Sequence, residues 1–286
     1  MSNLDDRMWA TMPSRRSFLQ RMGLGVGALG AGLFGGLVLP ESVLAVCEPP
    51  GNPGTPKPWR KDCRMILPRR PASTLSAAEI TQLKDAYKAM RALDTSAPND
   101  PRGFLRQANV HCWYCGAGTQ VHFTWQFFAW HRAYLYFHER ILGKLIGDMN
   151  FRLPYWDWDT PSHRKLPGAY SDPNDNSNPL WNGTRSMDPT EEIPEEDVGE
   201  DVMEAALTAD TFTEFGGTAS GSGIPEGTPH GAVHVDVGGD MGFFDSAGKD
   251  PVFYAHHANV DKMWSDWNQA SSIHTNPTAT AFLNLT

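Results

Sequence analysis

Apolar side chains recur at helical spacing in three stretches of this chain. The first opens at Leu75-Ser76-Ala77-Ala78-Glu79, where Ser76 and Glu79, three positions apart, have the form of a capping box. Ile80, Leu83, Ala86, Tyr87 and Met90 then share one helix face, and Asp100-Pro101 marks a break. The second stretch, Thr124 to Ile146, keeps the helical period but carries aromatics on most sides, which predicts a helix buried at the centre of the fold. The third runs from about Pro251 to Trp267. Residues 160–200 are dense in Pro, Asn, Asp and Gly and then in acid (Glu191, Glu192, Glu195, Glu196, Asp197), and read as long surface loops followed by a short helix from Val202 to Leu207. Loops this long in a compact domain are often functional rims. Alternating strand patterns are scarce. The pattern predicts a mainly α fold, with long loops and few short strands.

The two ends change the picture. Ser14-Arg15-Arg16-Ser17-Phe18-Leu19 is a twin-arginine signature, followed by a glycine-rich, weakly apolar stretch from Met22 to Leu39 and a small-residue site near Val43-Leu44-Ala45. Residues 1–45 therefore read as an export leader, implying a periplasmic or secreted protein. The alternative is a membrane anchor, which the glycines and the short apolar length disfavour. The remaining residues, 46–286, read as one domain, and residues 46–72 as an extended arm that Cys47 and Cys63 could tie down. The net charge of −9 argues against nucleic acid as a partner. An exported chain permits disulfides among Cys47, Cys63, Cys112 and Cys115. The lone Cys112-Trp-Tyr-Cys115 pair has no second pair and no strand-then-helix context, so a redox or zinc-ribbon reading is poor.

Six of the ten histidines fall into two groups of three, each in an aromatic-rich stretch. His111, His122 and His131 form the first; His230, His234 and one of the pair His256-His257 form the second. His230 and His234, four apart after Pro229, would share one helix face. His122 and His131 are nine apart and would face opposite ways on one helix, so His122 is placed on the loop ahead of it. Two pairs of helices thus carry the histidines, in a central four-helix bundle. Imidazole suits copper, zinc, iron and nickel, and two all-histidine triads without an acidic ligand suggest two metal ions held close together. The absence of H-E-x-x-H disfavours a metalloprotease.

His122-x4-Phe127-Phe128-Ala129-Trp130-His131-Arg132-x2-Leu135-x3-Glu139 resembles the copper A signature of tyrosinases, and Asp250-Pro251-Val252-Phe253-Tyr254-Ala255-His256-His257-x3-Asp261 resembles their copper B signature. Arg69-Arg70-Pro71-Ala72, Asp100-Pro101-Arg102, Gln107-Ala108-Asn109-Val110-His111-Cys112-x-Tyr114-Cys115 and Asp240-Met241-Gly242 are similar to the plant-type polyphenol oxidases, or catechol oxidases. The likeness spans roughly residues 47–268. It implies a dicopper centre, with copper A on His111, His122 and His131 and copper B on His230, His234 and His257. His257 is preferred to His256 because it stands four before Asp261, which could orient an imidazole. Cys115 matches a cysteine that forms a thioether with the second copper A histidine, here His122; a disulfide to Cys112 or Cys63 is the alternative. Phe244 matches an aromatic gate over copper A, or is a plain core residue. Glu226 matches an acid that holds a water near copper B, or is a solvated surface acid. Gly231, after His230, offers that water no side chain.

The chain departs from the plant pattern in a shorter loop between Cys115 and His122 and in fewer arm cysteines. After Trp267 the resemblance fades, and the separate domain that shields the site in plant enzymes is absent, as in a short or truncated form. The resemblance implies oxidation of o-diphenols to o-quinones with reduction of dioxygen to water, in a pocket lined by Phe123, Phe127, Trp130 and Phe244, with weak or no hydroxylation of monophenols. The expected partners are a phenol, dioxygen and a copper chaperone. A hemocyanin-like oxygen carrier and a structural zinc protein are the rivals.

Overall fold

The computed structural model describes residues 47–51, 67–117, 121–172, 175 and 177–283. The leader and Cys63 lie outside the described residues. The fold is mainly helical; among the described residues the β pairing consists of two isolated bridges, Pro71 with Tyr155 and Thr218 with Gly221.

Helix α1 (Ala77–Ser96) starts where the capping box requires: Ser76 accepts from the Glu79 amide and the Glu79 carboxylate accepts from the Ser76 amide. Leu83, Ala86, Tyr87 and Met90 are its buried face. Helix α2 (Phe104–His111) was not foreseen; it runs on into a π-helical turn, Cys112–Ala117. Helix α3 (Gln126–Leu145) buries Phe127, Phe128, His131, Tyr134, Leu135, His138, Glu139 and Leu142, a broad stripe at helical spacing, while Phe137 stays exposed. It stops at Gly147, whose φ of 72° is the left-handed conformation that glycine adopts without strain. Short helices α4 (Glu195–Val198), α5 (Glu200–Leu207) and α6 (Phe212–Gly216) follow, then α7 (Ala232–Val237), α8 (Val252–Ala270) and α9 (Thr280–Leu283).

Helices α2, α3, α7 and α8 carry histidines toward one centre, as the four-helix expectation requires. Tyr134 ties three of them: its hydroxyl donates to the Gln107 carbonyl at the level of α2, 2.6 Å, and lies 2.9 Å from the Tyr254 hydroxyl of α8. The segment expected to be surface loop is more deeply built in than its composition suggests. Leu166, Ala169, Tyr170, Leu180, Met187 and Ile193 are buried. Its polar groups find internal partners, because Arg185 donates to the Tyr170 and Leu180 carbonyls and makes a paired contact with Asp250. Arg185 and Asp250 are 1% and 0% exposed, and Asp250 also accepts from the Val252 amide at the start of α8. At the other end of the site, Cys47 and Cys112 form a disulfide that anchors the arm beside His111.

Candidate metal centre

The first triad is built from three local structures. His111 ends α2, His131 sits on α3, and His122 precedes α3 in a turn, as the nine-residue spacing demanded. The residue after His122, Phe123, has a φ of 62°, uncommon for a bulky residue, and its amide donates to the buried Glu226 carboxylate. The second triad differs from expectation in one respect. Regular helix α7 begins only at Ala232, and His230 belongs to a π-helical segment, Glu226–Gly231, with a non-helical Thr228 and a cis Thr228–Pro229 bond. Gly231 and Ala232 nevertheless have right-handed helical dihedrals, so the His230 and His234 rings still face each other 4.7 Å apart.

Within the first triad the ring centroids are 4.9 to 5.7 Å apart; within His230, His234 and His257 they are 4.7 to 5.3 Å apart. The triads meet face to face: His131 stacks on His257 at 4.4 Å and 11°. All six rings are 1% to 3% exposed. Burial pushes every one well below the ordinary histidine range, His131 to about 3 and His234 to about 4, so the rings are neutral.

Backbone carbonyls orient four of these rings. Nδ1 of His111, His131, His230 and His234 lies 2.8 to 3.0 Å from the carbonyls of Phe244, Phe127, Glu226 and Met241. A carbonyl only accepts, so each Nδ1 donates and each Nε2 keeps its lone pair. Nε2 of His111, His131 and His230 has no hydrogen-bond partner although buried, and His234 Nε2 faces His257 Nε2 at 3.1 Å. Buried acceptors without donors are costly, and a cation between them would satisfy them all. The donor set, imidazole with one nearby thiol and no carboxylate among the grouped ligands, fits copper or zinc rather than magnesium or calcium. No carbonyl acceptor carries a side-chain signal, which is why this orienting shell was invisible in the sequence.

The other predicted residues fall as follows. The Cys115 thiol is fully buried, and its sulfur and the first triad's ligand atoms lie within 4.8 Å of one another. Glu226 is buried rather than solvated. Phe244 is half-buried, its ring 4.7 Å from His122 and 6.0 Å from Phe123, and with Val235 these two form a small apolar cluster apart from the main core. Gly231 is buried between His230 and α7. Phe127 is wedged among the rings, 4.7 Å from His131 and 4.6 Å from His230, and does not line an open pocket. The fourth histidine of the second group, His256, accepts at Nδ1 from the Trp158 indole, 3.1 Å.

Asp261 requires a correction. It does not orient an imidazole; its carboxylate accepts from Arg69 and Arg132, and Arg69 also reaches Glu139 at 2.9 Å. Guanidinium groups outcompete a neutral imidazole for a carboxylate because the bond is charge-assisted. Arg69 of the arm thereby joins α3 to α8, the helices bearing His131 and His257.

The family model for the common central domain of tyrosinase matches residues 101–199 and 169–270. The chain is 37% identical over 275 residues to the latent form of a chloroplastic polyphenol oxidase of Prunus armeniaca, covering 80% of this chain and 45% of that protein. The chain thus spans about half the length of the curated relatives it matches. Among solved structures, the Grenache (Vitis vinifera) polyphenol oxidase superposes with a TM-score of 0.75 at 32% identity, covering 87% of this chain and 85% of that one. An active aurone synthase, a polyphenol oxidase whose description names copper B, gives 0.69 at 34% identity and 78% coverage of each chain. These relatives also correct the periplasmic or secreted destination and the twin-arginine route read from residues 1–45. The polyphenol oxidases of Prunus armeniaca, Malus domestica, Solanum lycopersicum and Vitis vinifera are named as chloroplastic, which points away from bacterial-type export. Leaders and plastid transit peptides are both N-terminal, arginine-bearing and poor in acid, so composition does not separate them. Among the described residues no helix is long and apolar enough to cross a membrane.

Proposed function

The chain belongs to the tyrosinase family, and from that membership we propose that it is a copper-dependent polyphenol oxidase converting o-diphenols to o-quinones while dioxygen is reduced to water. The observation that carries this reading is the pair of buried, neutral imidazole triads, stacked face to face, with lone pairs converging. Copper A is assigned to His111, His122 and His131, and copper B to His230, His234 and His257, within one domain of residues 46–286. Bound copper supplies the electron transfer between diphenol and dioxygen.

The chain's own residues do the rest. Carbonyl-oriented rings hold ligand geometry before metal arrives. Phe244 and Phe123 form an apolar wall beside His122, suited to the flat face of a phenol. Cys115 is proposed to be bonded through sulfur to a ring carbon of His122: the S–H and C–H bonds break, the S–C bond forms, and dioxygen, the oxidant of the proposed reaction, takes the two electrons and two protons; a peptide mass lower by two hydrogens would register it. Glu226 is proposed to hold the water that takes a phenol proton, although its carboxylate also serves the Phe123 amide. Gly231 gives that water no further partner, which favours diphenols over monophenols. Rings 1% to 3% exposed are hard for a free ion to reach, which supports delivery by a copper chaperone.

Metal analysis with oxygen uptake tests the reading. Purified protein should carry two copper ions per chain and consume oxygen on 4-methylcatechol at once, but on tyramine slowly and after a lag. A dicopper protein that binds oxygen reversibly without oxidising 4-methylcatechol would be a carrier, and one that holds zinc would be structural; either result refutes the proposal. Prompt hydroxylation of tyramine would refute only the diphenol preference.

A further inference from the structure

Two adjacent histidines reach the second triad, and proximity does not choose between them. The His256 ring lies 5.4 Å from His230 and 4.8 Å from His234; the His257 ring lies 4.9 Å and 5.3 Å from the same two. Ligand atoms of all four are within 4.8 Å of one another, and all four rings are buried. A metal ion selecting by distance would find four candidates for three places.

Hydrogen bonding separates them. The indole Nε1 of Trp158 lies 3.1 Å from Nδ1 of His256, in a contact that is buried on both sides. Indole N–H is a donor only, so Nδ1 of His256 must be the nitrogen with the lone pair. An imidazole whose Nδ1 accepts is the neutral ring with its proton on Nε2. Its one lone pair is occupied and its other nitrogen is protonated, so it has nothing to give a metal. His257 is the opposite case: its Nε2 is 3.1 Å from His234 Nε2 and, among the described residues, no donor claims either of its nitrogens from outside the group, so it is free to put its Nε2 lone pair toward a cation beside His234.

Trp158 is itself held firmly. It is fully buried, the neighbouring Trp156 amide donates to the Ala255 carbonyl of α8 at 2.9 Å, and the neighbouring Asp159 accepts from Asn259 of α8 at 2.9 Å. The loop is thus fastened to α8 on both sides of the indole, one contact beside His256 and one just beyond His257.

We propose that Trp158 is a positioning residue that selects the third ligand of the second metal: its indole N–H locks His256 as the Nε2–H tautomer and leaves coordination to His257. The proposal rests on the copper reading above, and two measurements keep the two separable. In metal-free wild-type protein, nitrogen-15 NMR of the histidine rings should show His256 with a bare Nδ1 and a protonated Nε2. In copper-binding titrations, His256→Ala should keep both copper ions and His257→Ala should lose the second. The Trp158→Phe change added to His257→Ala, which frees His256 Nδ1, should restore the second copper at least about tenfold in affinity. A wild-type His256 protonated on Nδ1, a His257→Ala protein that still binds two copper ions, or a double variant without recovery overturns the proposal. A wild-type chain that takes up no copper refutes the function proposed above, whereas the tautomer is read without any metal.

Discussion

Seven rings packed around the centre, together with His138 in the aromatic core, are neutral because burial excludes the charged form, and this makes the metal-free protein sensitive to mild acid. Three of them have folded-state values of about 3 (His131, His138) and about 4 (His234), against 6.5 unfolded. The sign follows from linkage: below pH 6.5 the unfolded chain binds protons that the folded chain refuses, so stability is complete above that pH and falls as pH drops toward the folded values. At pH 5.5, one unit below the unfolded value, each such ring costs about 1.4 kcal/mol, so these three together cost about 4 kcal/mol. The other buried rings act in the same direction. Domains of this kind have roughly 5–15 kcal/mol in total, so metal-free protein should approach unfolding near pH 5.5. Carboxylates held down by hydrogen bonds, such as Asp100 at about 2, titrate below this window. Urea unfolding of metal-free protein at pH 7.5 and 5.5 checks the prediction. His138→Phe, outside both metal groups, should cut the loss between the two pH values by about 1.4 kcal/mol. A stability change under about 1 kcal/mol between the two conditions would refute the reasoning, since burial then would not be what holds these rings neutral.

Because the rings are already neutral in the folded metal-free protein, copper displaces no protons between pH 6 and 8, so removing metal with a chelator should cost the same unfolding free energy at both pH values; a clearly smaller loss at pH 6 would show that the rings protonate in the folded chain. Reducing the Cys47–Cys112 disulfide, which closes a loop of 65 residues, should cost roughly 4 kcal/mol by loop entropy, read by urea unfolding with and without reductant; a loss below about 1 kcal/mol would mean the arm adds no constraint. Arg185→Met leaves Asp250 charged and buried without its partner and should cost about 3–5 kcal/mol, whereas a change near zero would show that the pair is solvated. Phe244→Ala should raise the KM for 4-methylcatechol several-fold with a smaller effect on kcat, and an unchanged KM would remove Phe244 from the substrate wall.

Much of this was legible in the chain because it depends on short-range pattern. Ser76 and Glu79 announce α1 through a local hydrogen-bond exchange, and the nine-residue gap between His122 and His131 forces one ring off the helix whatever the rest of the fold does. Other parts were illegible for equally physical reasons. Helix α2 is only Phe104–His111, and its buried face, Phe104, Gln107, Ala108 and His111, keeps the helical period but contains two polar residues, so no apolar stripe announces it. Asp261 sits one turn from His257, but the Arg69 and Arg132 groups that claim it come from distant positions in the chain. Residues 160–200 look like surface by composition, and Arg185 is what lets their backbone be buried.

By itself the sequence determined the helical class, the grouping of six histidines and the family signatures, because periodicity and motif spacing are properties of neighbouring residues. Only the tertiary structure decided how those histidines work. It turned the His111 ring by the distant Phe244 carbonyl, closed the two triads against each other through His131 and His257, and set the Trp158 indole on His256. Those contacts join residues up to 133 positions apart, and a lone pair can be aimed only by a group that the fold brings within hydrogen-bond reach.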